Sequence, residues 1–238
     1  MGALLAGAMA ISCTSPGGTG HDSASGRKPA TSEESPVRSA SGAAPAFGST
    51  DGEARRTILF LGTSLTAGLG LDPDSAYPQR IQRKIDTAGL PYQVVNAGVS
   101  GETSAGLLRR LDWVLKRPAD VVVVETGAND GLRGLPITAT SATIGDVLDR
   151  IKRDRPGATL LLVQMEAPPN MGPEYTRAFH AMFPALAKEH GVTLLPFLLE
   201  NVAGRTTLNQ SDGIHPNNKG EAIVAETVWR ALQPALPH

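Results

Sequence analysis

Thr57-Ile58-Leu59-Phe60-Leu61-Gly62-Thr63-Ser64-Leu65-Thr66 is the stretch on which the fold turns. After Thr57, Ile58 to Leu61 run apolar without polar alternation, the pattern of a strand covered on both faces. Glycine and hydroxyl residues then break the run abruptly. Similar short runs recur at Gln93 to Asn96, Asp120 to Val124, Thr159 to Gln164 and Val192 to Leu195. Between them apolar residues return at helical spacing: Leu107, Leu108, Leu111, Val114 and Leu115; Ile144, Val147, Leu148 and Ile151; Phe179, Met182, Phe183 and Leu186. Strand and helix in alternation predict an α/β domain with a five-stranded parallel sheet in three α/β/α layers. Pro184 falls inside the third helical pattern and is expected to kink or restart it. The last helix is expected to open at Pro216, bury Ile223, Val224, Thr227, Val228 and Leu232, and stop before Pro234.

Outward from this core, composition narrows the function. The 238 residues are 41% apolar, enough for one well-filled domain, placed here at 56–238. With 22 basic and 23 acidic residues the net charge is -1, so no electrostatic excess exists to grip nucleic acid. One cysteine, Cys13, excludes an intrachain disulfide and a multi-cysteine metal site.

The N-terminal segment reads differently. Residues 1–13 hold a short apolar run, Leu4, Leu5, Ala8, Met9 and Ile11, too short to span a bilayer and similar to a signal-peptide core. Ala10-Ile11-Ser12-Cys13 resembles a lipobox, which implies a lipidated Cys13, membrane attachment through it alone, and an exported, periplasmic or membrane-anchored protein. Two departures stand against this: no Lys or Arg precedes the run, and Ala10 occupies a leucine position. A plain N-terminus and a secreted protein are the alternatives. Residues 14–55 are rich in Ser, Gly, Ala, Pro and Thr, with Val37 and Phe47 as their only sizeable apolar residues. A flexible tether is expected, its ends on the order of 35 Å apart.

In open α/β sheets, ligands bind beyond the carboxyl ends of the strands. Three polar segments follow strands directly: Gly62 to Thr66, Asn96 to Thr103 and Thr126 to Asp130. A fourth, Ser211 to Pro216, precedes the last helix. Ser64 is either a helix N-cap, a role worth about 1 kcal/mol, or a hydroxyl presented at the sheet edge. Thr66 stands where a G-x-S-x-G nucleophile elbow has its second glycine, which disfavours the α/β-hydrolase fold. Asp212 and His215 are three residues apart across Gly213. They form either an Asp-Gly turn with an exposed histidine or a carboxylate–imidazole pair able to serve a serine. Asn129 and Gly98 are turn residues or amide donors to an oxyanion. What favours chemistry is convergence: serine, glycine, asparagine and histidine follow in the order and strand-end placement that an acyl-transfer site requires, and the fourth segment is expected to reach the same edge.

Phe60 to Gly70, Val95 to Thr103, Glu125 to Gly134 and Asp212 to Pro216 resemble blocks I, II, III and V of the SGNH (GDSL-like) hydrolases. Gly127 to Gly134, Asp212 to Pro216 and Phe179 to Phe197 are similar in particular to its bacterial thioesterase/protease/lysophospholipase and arylesterase branch. The resemblance implies a flavodoxin-like SGNH fold, a Ser64–His215–Asp212 triad, and an oxyanion hole from Ser64, Gly98 and Asn129. It implies no cofactor and no metal. The reaction implied is hydrolysis of a small-molecule or lipid ester: aryl or short-to-medium acyl esters, lysophospholipids or thioesters. Thr63 replaces the aspartate of the GDSL form, which is expected to alter local hydrogen bonding. Met165 to Pro173 either lines an acyl groove or is a proline-rich surface loop. Two other functions remain open: a carbohydrate acetylesterase, and a cell-surface binding module without chemistry.

Overall fold

The computed structural model describes residues 55–236. The expected leader, Cys13 and all but the last residue of the expected tether lie outside the described residues.

The chain alternates as the apolar runs anticipate. β1 (Arg56–Gly62) leads through the single turn α1 (Ser64–Ala67) to α2 (Tyr77–Thr87). Then come β2 (Tyr92–Gly98), α3 (Ser104–Val114), β3 (Val121–Val124), the short α4 (Ala128–Leu132) and α5 (Ile137–Asp154). β4 (Thr159–Gln164), α6 (Pro173–Glu189), β5 (Thr193–Phe197) and α7 (Asn218–Leu232) complete it. All neighbouring strands are parallel, in the order β2-β1-β3-β4-β5. Gly62 pairs with Gly98, and Leu61 with Val124. The order reverses direction at β1, so β1 and β3 diverge there and open a crevice at their carboxyl ends.

Ile58 to Leu61 and Val121 to Val124 are wholly buried. Each such side chain contributes about 1.5–3 kcal/mol on leaving water, which is why these runs lack polar alternation. α2 packs on α7, while α3 packs on α5 and α5 on α6, giving the two helical layers. Among the described residues no helix is long and apolar enough to cross a membrane.

Two expectations are corrected. α6 runs unbroken through Pro184. Proline cannot donate to the carbonyl four residues back, His180, but Gln164 Nε2 points there at 3.3 Å and offsets the loss. α7 begins at Asn218 rather than Pro216, because Pro216 forms an antiparallel bridge with Asn209. Asn217 then caps the helix, accepting from the Lys219 and Gly220 amides at 2.9 and 3.1 Å. α2 went unforeseen, although Tyr77, Ile81 and Ile85 recur four apart and all are buried.

Glu221, in the first turn of α7, is buried and accepts the Tyr77 amide at 2.7 Å. Burial pushes its carboxyl up from about 4.5 to about 8, against the lowering effects of that amide and the Arg80 charge. Between these values the folded protein keeps a proton that the unfolded chain releases. The contribution to stability is therefore full below about pH 4.5 and is lost as pH rises through about 8. Glu221→Gln should flatten this loss, so its Tm falls less than wild type between pH 5 and 8.5. Parallel Tm profiles for the two proteins would show that Glu221 titrates as an ordinary carboxyl.

Candidate active site

At the end of β1 the chain turns into α1 with Thr63 as its N-cap. Thr63 Oγ1 accepts the Leu65 amide at 3.4 Å, so the capping role considered for Ser64 belongs to its neighbour. Ser64 is left with its hydroxyl uncommitted to the helix. Its Oγ lies 2.8 Å from His215 Nε2, across 151 residues of sequence. His215 Nδ1 lies 2.6 Å from Asp212 Oδ2, while Asp212 Oδ1 accepts the amides of Ile214 and His215 at 2.9 and 3.0 Å. Gly213 makes this tight turn possible with φ +70°.

The Asp212–His215 loop is anchored from behind by Gln210, which sequence inspection did not single out. Its amide donates to the His215 carbonyl at 2.8 Å. Its side chain donates to the Leu69 and Pro216 carbonyls at 2.8 and 3.0 Å, tying the loop to the segment after α1.

The His215 side chain, then the His215 and Ile214 amides, hold the Asp212 carboxyl down at about 2. This interaction stabilises the fold above about pH 3.8 and is lost as pH falls through about 2. Because the side chain is 43% exposed, solvent screens most of its value for stability. Its chemical consequence is larger. An ionised carboxylate only accepts, so in the neutral imidazole Nδ1 carries the proton and Nε2 is free to take one from Ser64.

Behind Ser64 sits Glu125, wholly buried and also missed from sequence. Its Oε2 accepts from the Thr63 amide at 2.7 Å and Thr66 Oγ1 at 2.9 Å, and Thr63 Oγ1 reaches both oxygens at 3.0 and 3.1 Å. Thr66 Oγ1 also meets the Tyr77 hydroxyl at 2.8 Å. Burial raises the Glu125 pKa, against the hydrogen bonds from Thr63 and Thr66. The Thr63 departure from the GDSL form thus adds a donor to this carboxylate. The available signal was one charged residue ending an otherwise apolar strand run.

The expected oxyanion donors fare differently. Asn129, in α4, donates from Nδ2 to the Glu102 carbonyl at 3.0 Å, which places its amide beside the β2–α3 loop. Asp130 holds that placement by accepting from Ser104 N at 2.9 Å and Ser104 Oγ at 2.6 Å. The Gly98 N–H, by contrast, is spent on Asn96 Oδ1 at 2.9 Å. Gly98 serves as a close-packing residue instead: a Cβ there would lie 2.4 Å from the Ala67 nitrogen and 2.8 Å from the Thr63 oxygen. Three residues on, the Gly101 N–H has no acceptor among the described residues, and its carbonyl accepts from Arg133 at 2.9 Å. Glu102 is clamped by Arg110 at 2.7 to 2.9 Å, and Arg110 also reaches the Ala97 carbonyl at 2.8 Å.

A groove of about 360 Å³ adjoins this cluster, bordered by Leu65, Ala128 and Ile214, next in sequence to Ser64, Asn129 and His215. Met165 to Pro169 line it, together with Phe197 and Leu199 from the end of β5. Of the loop considered from sequence, the first five residues therefore belong to the groove. Met171 to Pro173 line a separate cavity with Ile137 and Tyr175.

A doubly wound sheet with a hydroxyl, an imidazole and a carboxylate in series at its switch point is an arrangement suited to ester hydrolysis. The GDSL-like lipase/acylhydrolase family model matches residues 60–223. Esterase TesA of Pseudomonas aeruginosa is 39% identical over 189 residues, 79% of this chain and 92% of that protein. Thioesterase 1/protease 1/lysophospholipase L1 of Escherichia coli K12 is 40% identical over 183 residues, 76% of this chain and 86% of that one. Among solved structures, the psychrotrophic esterase EstA from Pseudoalteromonas sp., inhibited by monoethylphosphonate, superposes with a TM-score of 0.71 at 32% identity, covering 75% of this chain and 97% of that one. The chain belongs to the GDSL-like lipase/acylhydrolase family.

Proposed function

We propose that this protein is a carboxylic ester hydrolase working by two-step acyl transfer, with Ser64 as nucleophile, His215 as general base and acid, and Asp212 orienting it. The observation that carries the reading is the unbroken series of short contacts from Ser64 Oγ through His215 to Asp212. His215 Nε2 takes the Ser64 proton as Oγ attacks the carbonyl carbon, then returns it to the leaving oxygen; water repeats the sequence to free the acid. Negative charge on the carbonyl oxygen is met by the Ser64 N–H and the Asn129 side chain. The second backbone donor is assigned to Gly101, because the Gly98 N–H is already engaged.

An apolar groove beside the nucleophile supports substrates with an aryl or a short-to-medium acyl chain, lysophospholipids and thioesters included. Export and lipid attachment through Cys13 belong to the same proposal; an exported enzyme would meet carboxylic esters rather than cytoplasmic acyl-CoA.

The test is a panel of p-nitrophenyl esters from acetyl to palmitoyl, with labelling by a fluorophosphonate. Turnover of butyryl to octanoyl esters and labelling at Ser64 are expected. Strict acetyl preference would replace this reading with a carbohydrate acetylesterase, and absence of both turnover and labelling with a binding module. Asn129→Ala should lower kcat about 100- to 1,000-fold while KM moves little; near-normal kcat would remove Asn129 from the site.

A further inference from the structure

The groove beside Ser64 contains one ionisable side chain, Glu166. Its neighbours along the wall, Met165, Ala167, Pro168, Pro169 and Phe197, carry no charge, and no lysine or arginine lines the groove. A carboxylate against apolar surface costs free energy unless it is hydrogen-bonded. Here one oxygen is held on both sides: Glu166 Oε1 lies 2.6 Å from His180 Nδ1 and accepts from Gln164 Nε2 at 3.2 Å. Gln164 is itself buried and fixed, donating to the Met165 carbonyl at 2.9 Å and reaching the His180 carbonyl that Pro184 leaves unbonded. Glu166 Oε2 receives no hydrogen bond from any described residue. Its side chain is 31% exposed, so the carboxylate is positioned by the fold yet accessible from the groove.

Beyond the His180 ring on Oε1, the residues lining the groove add no cation. Gly213 and Ile214, from the Asp212 turn, also line the groove.

Resting on the esterase reading, we propose that Glu166 sets substrate class: esters whose groove-bound part carries a positive charge several bonds from the carbonyl are selected over those carrying a negative one. The mechanism is Coulombic. A cation beside a partly desolvated carboxylate gains, an anion loses, and a neutral chain is indifferent.

Three p-nitrophenyl esters of matched shape test this: 6-(trimethylammonio)hexanoate, its neutral isostere 7,7-dimethyloctanoate, and 6-sulfonatohexanoate. For each protein the readout is kcat/KM for the charged ester divided by that for the neutral one, a ratio in which changes in overall activity cancel. Glu166→Gln keeps a side chain able to bond Gln164 but removes the charge; the cation-to-neutral ratio should drop about fivefold. Glu166→Lys should lower it further and raise the sulfonate ratio by a similar factor. Equal ratios in wild type and both variants would overturn the assignment while leaving the hydrolase intact. Failure of the wild-type protein to hydrolyse any of the three would overturn the esterase reading beneath it.

Discussion

Ser64→Ala should lower kcat on p-nitrophenyl butyrate by about 10⁵- to 10⁶-fold and abolish fluorophosphonate labelling. The hydroxyl forms no helix-capping bond, since Thr63 caps α1, so its removal deletes the proposed nucleophile without unsettling the turn. His215→Ala should cost about as much, and the double variant no more than either single one. In the proposed mechanism Ser64 Oγ attacks only while His215 Nε2, 2.8 Å away, accepts its proton. Once either group is gone, the other has nothing to act on. What activity remains reflects binding and the oxyanion donors. Circular dichroism and Tm close to wild type must accompany the loss. A Ser64→Ala protein keeping more than about 1% of kcat would place the nucleophile elsewhere, because a triad serine is worth several orders of magnitude.

Glu125→Ala should destabilise the domain by about 3–5 kcal/mol, lowering Tm by roughly 10 to 15 °C. The carboxylate collects the Thr63 amide and the Thr63 and Thr66 hydroxyls in a fully buried place. Alanine strands those donors and opens a void against Gly62, where a Cβ would lie 2.7 Å from Glu125 Oε2. Hydroxyls can rotate, and Thr66 keeps its contact with Tyr77, but the Thr63 N–H is fixed by the backbone. Glu125→Gln preserves volume and one acceptor and should cost less than alanine. Activity should fall in both variants even at temperatures where they remain folded, because Thr63 is the residue before Ser64, the proposed nucleophile. Thermal melts with a Glu125→Ala shift below about 2 °C would show that the network contributes little.

Much of the site was readable because its parts are local. Asp212 and His215 stand three residues apart, and Gly213 between them has the left-handed backbone that lets one carboxylate reach both the imidazole and two amides. Strand positions were readable for a similar reason: Val121 to Val124 are buried on both faces, and such a run has little other use. Errors came where a residue's neighbours lie far along the chain. Pro184 looked like a break because the Gln164 side chain, twenty residues away, could not be foreseen beneath it. Gly98 looked like an oxyanion donor because composition cannot say that Asn96 already holds its N–H. Glu125 was given no role of its own because its partners are about sixty residues upstream.

By itself, then, the order of residues determined the layered parallel fold, the three polar segments that follow its strands, and the spacing that keeps Asp212 within reach of His215. Periodicity and short spacing encode those directly, through backbone geometry and the removal of apolar surface from water. Tertiary structure alone decided that Thr63 rather than Ser64 caps α1, that Glu125 braces the turn from below, and that Glu166 is the lone charge in the groove. Each of these depends on which donor meets which acceptor once β1, β3 and β4 lie side by side, and hydrogen bonds between distant segments leave no period in a chain.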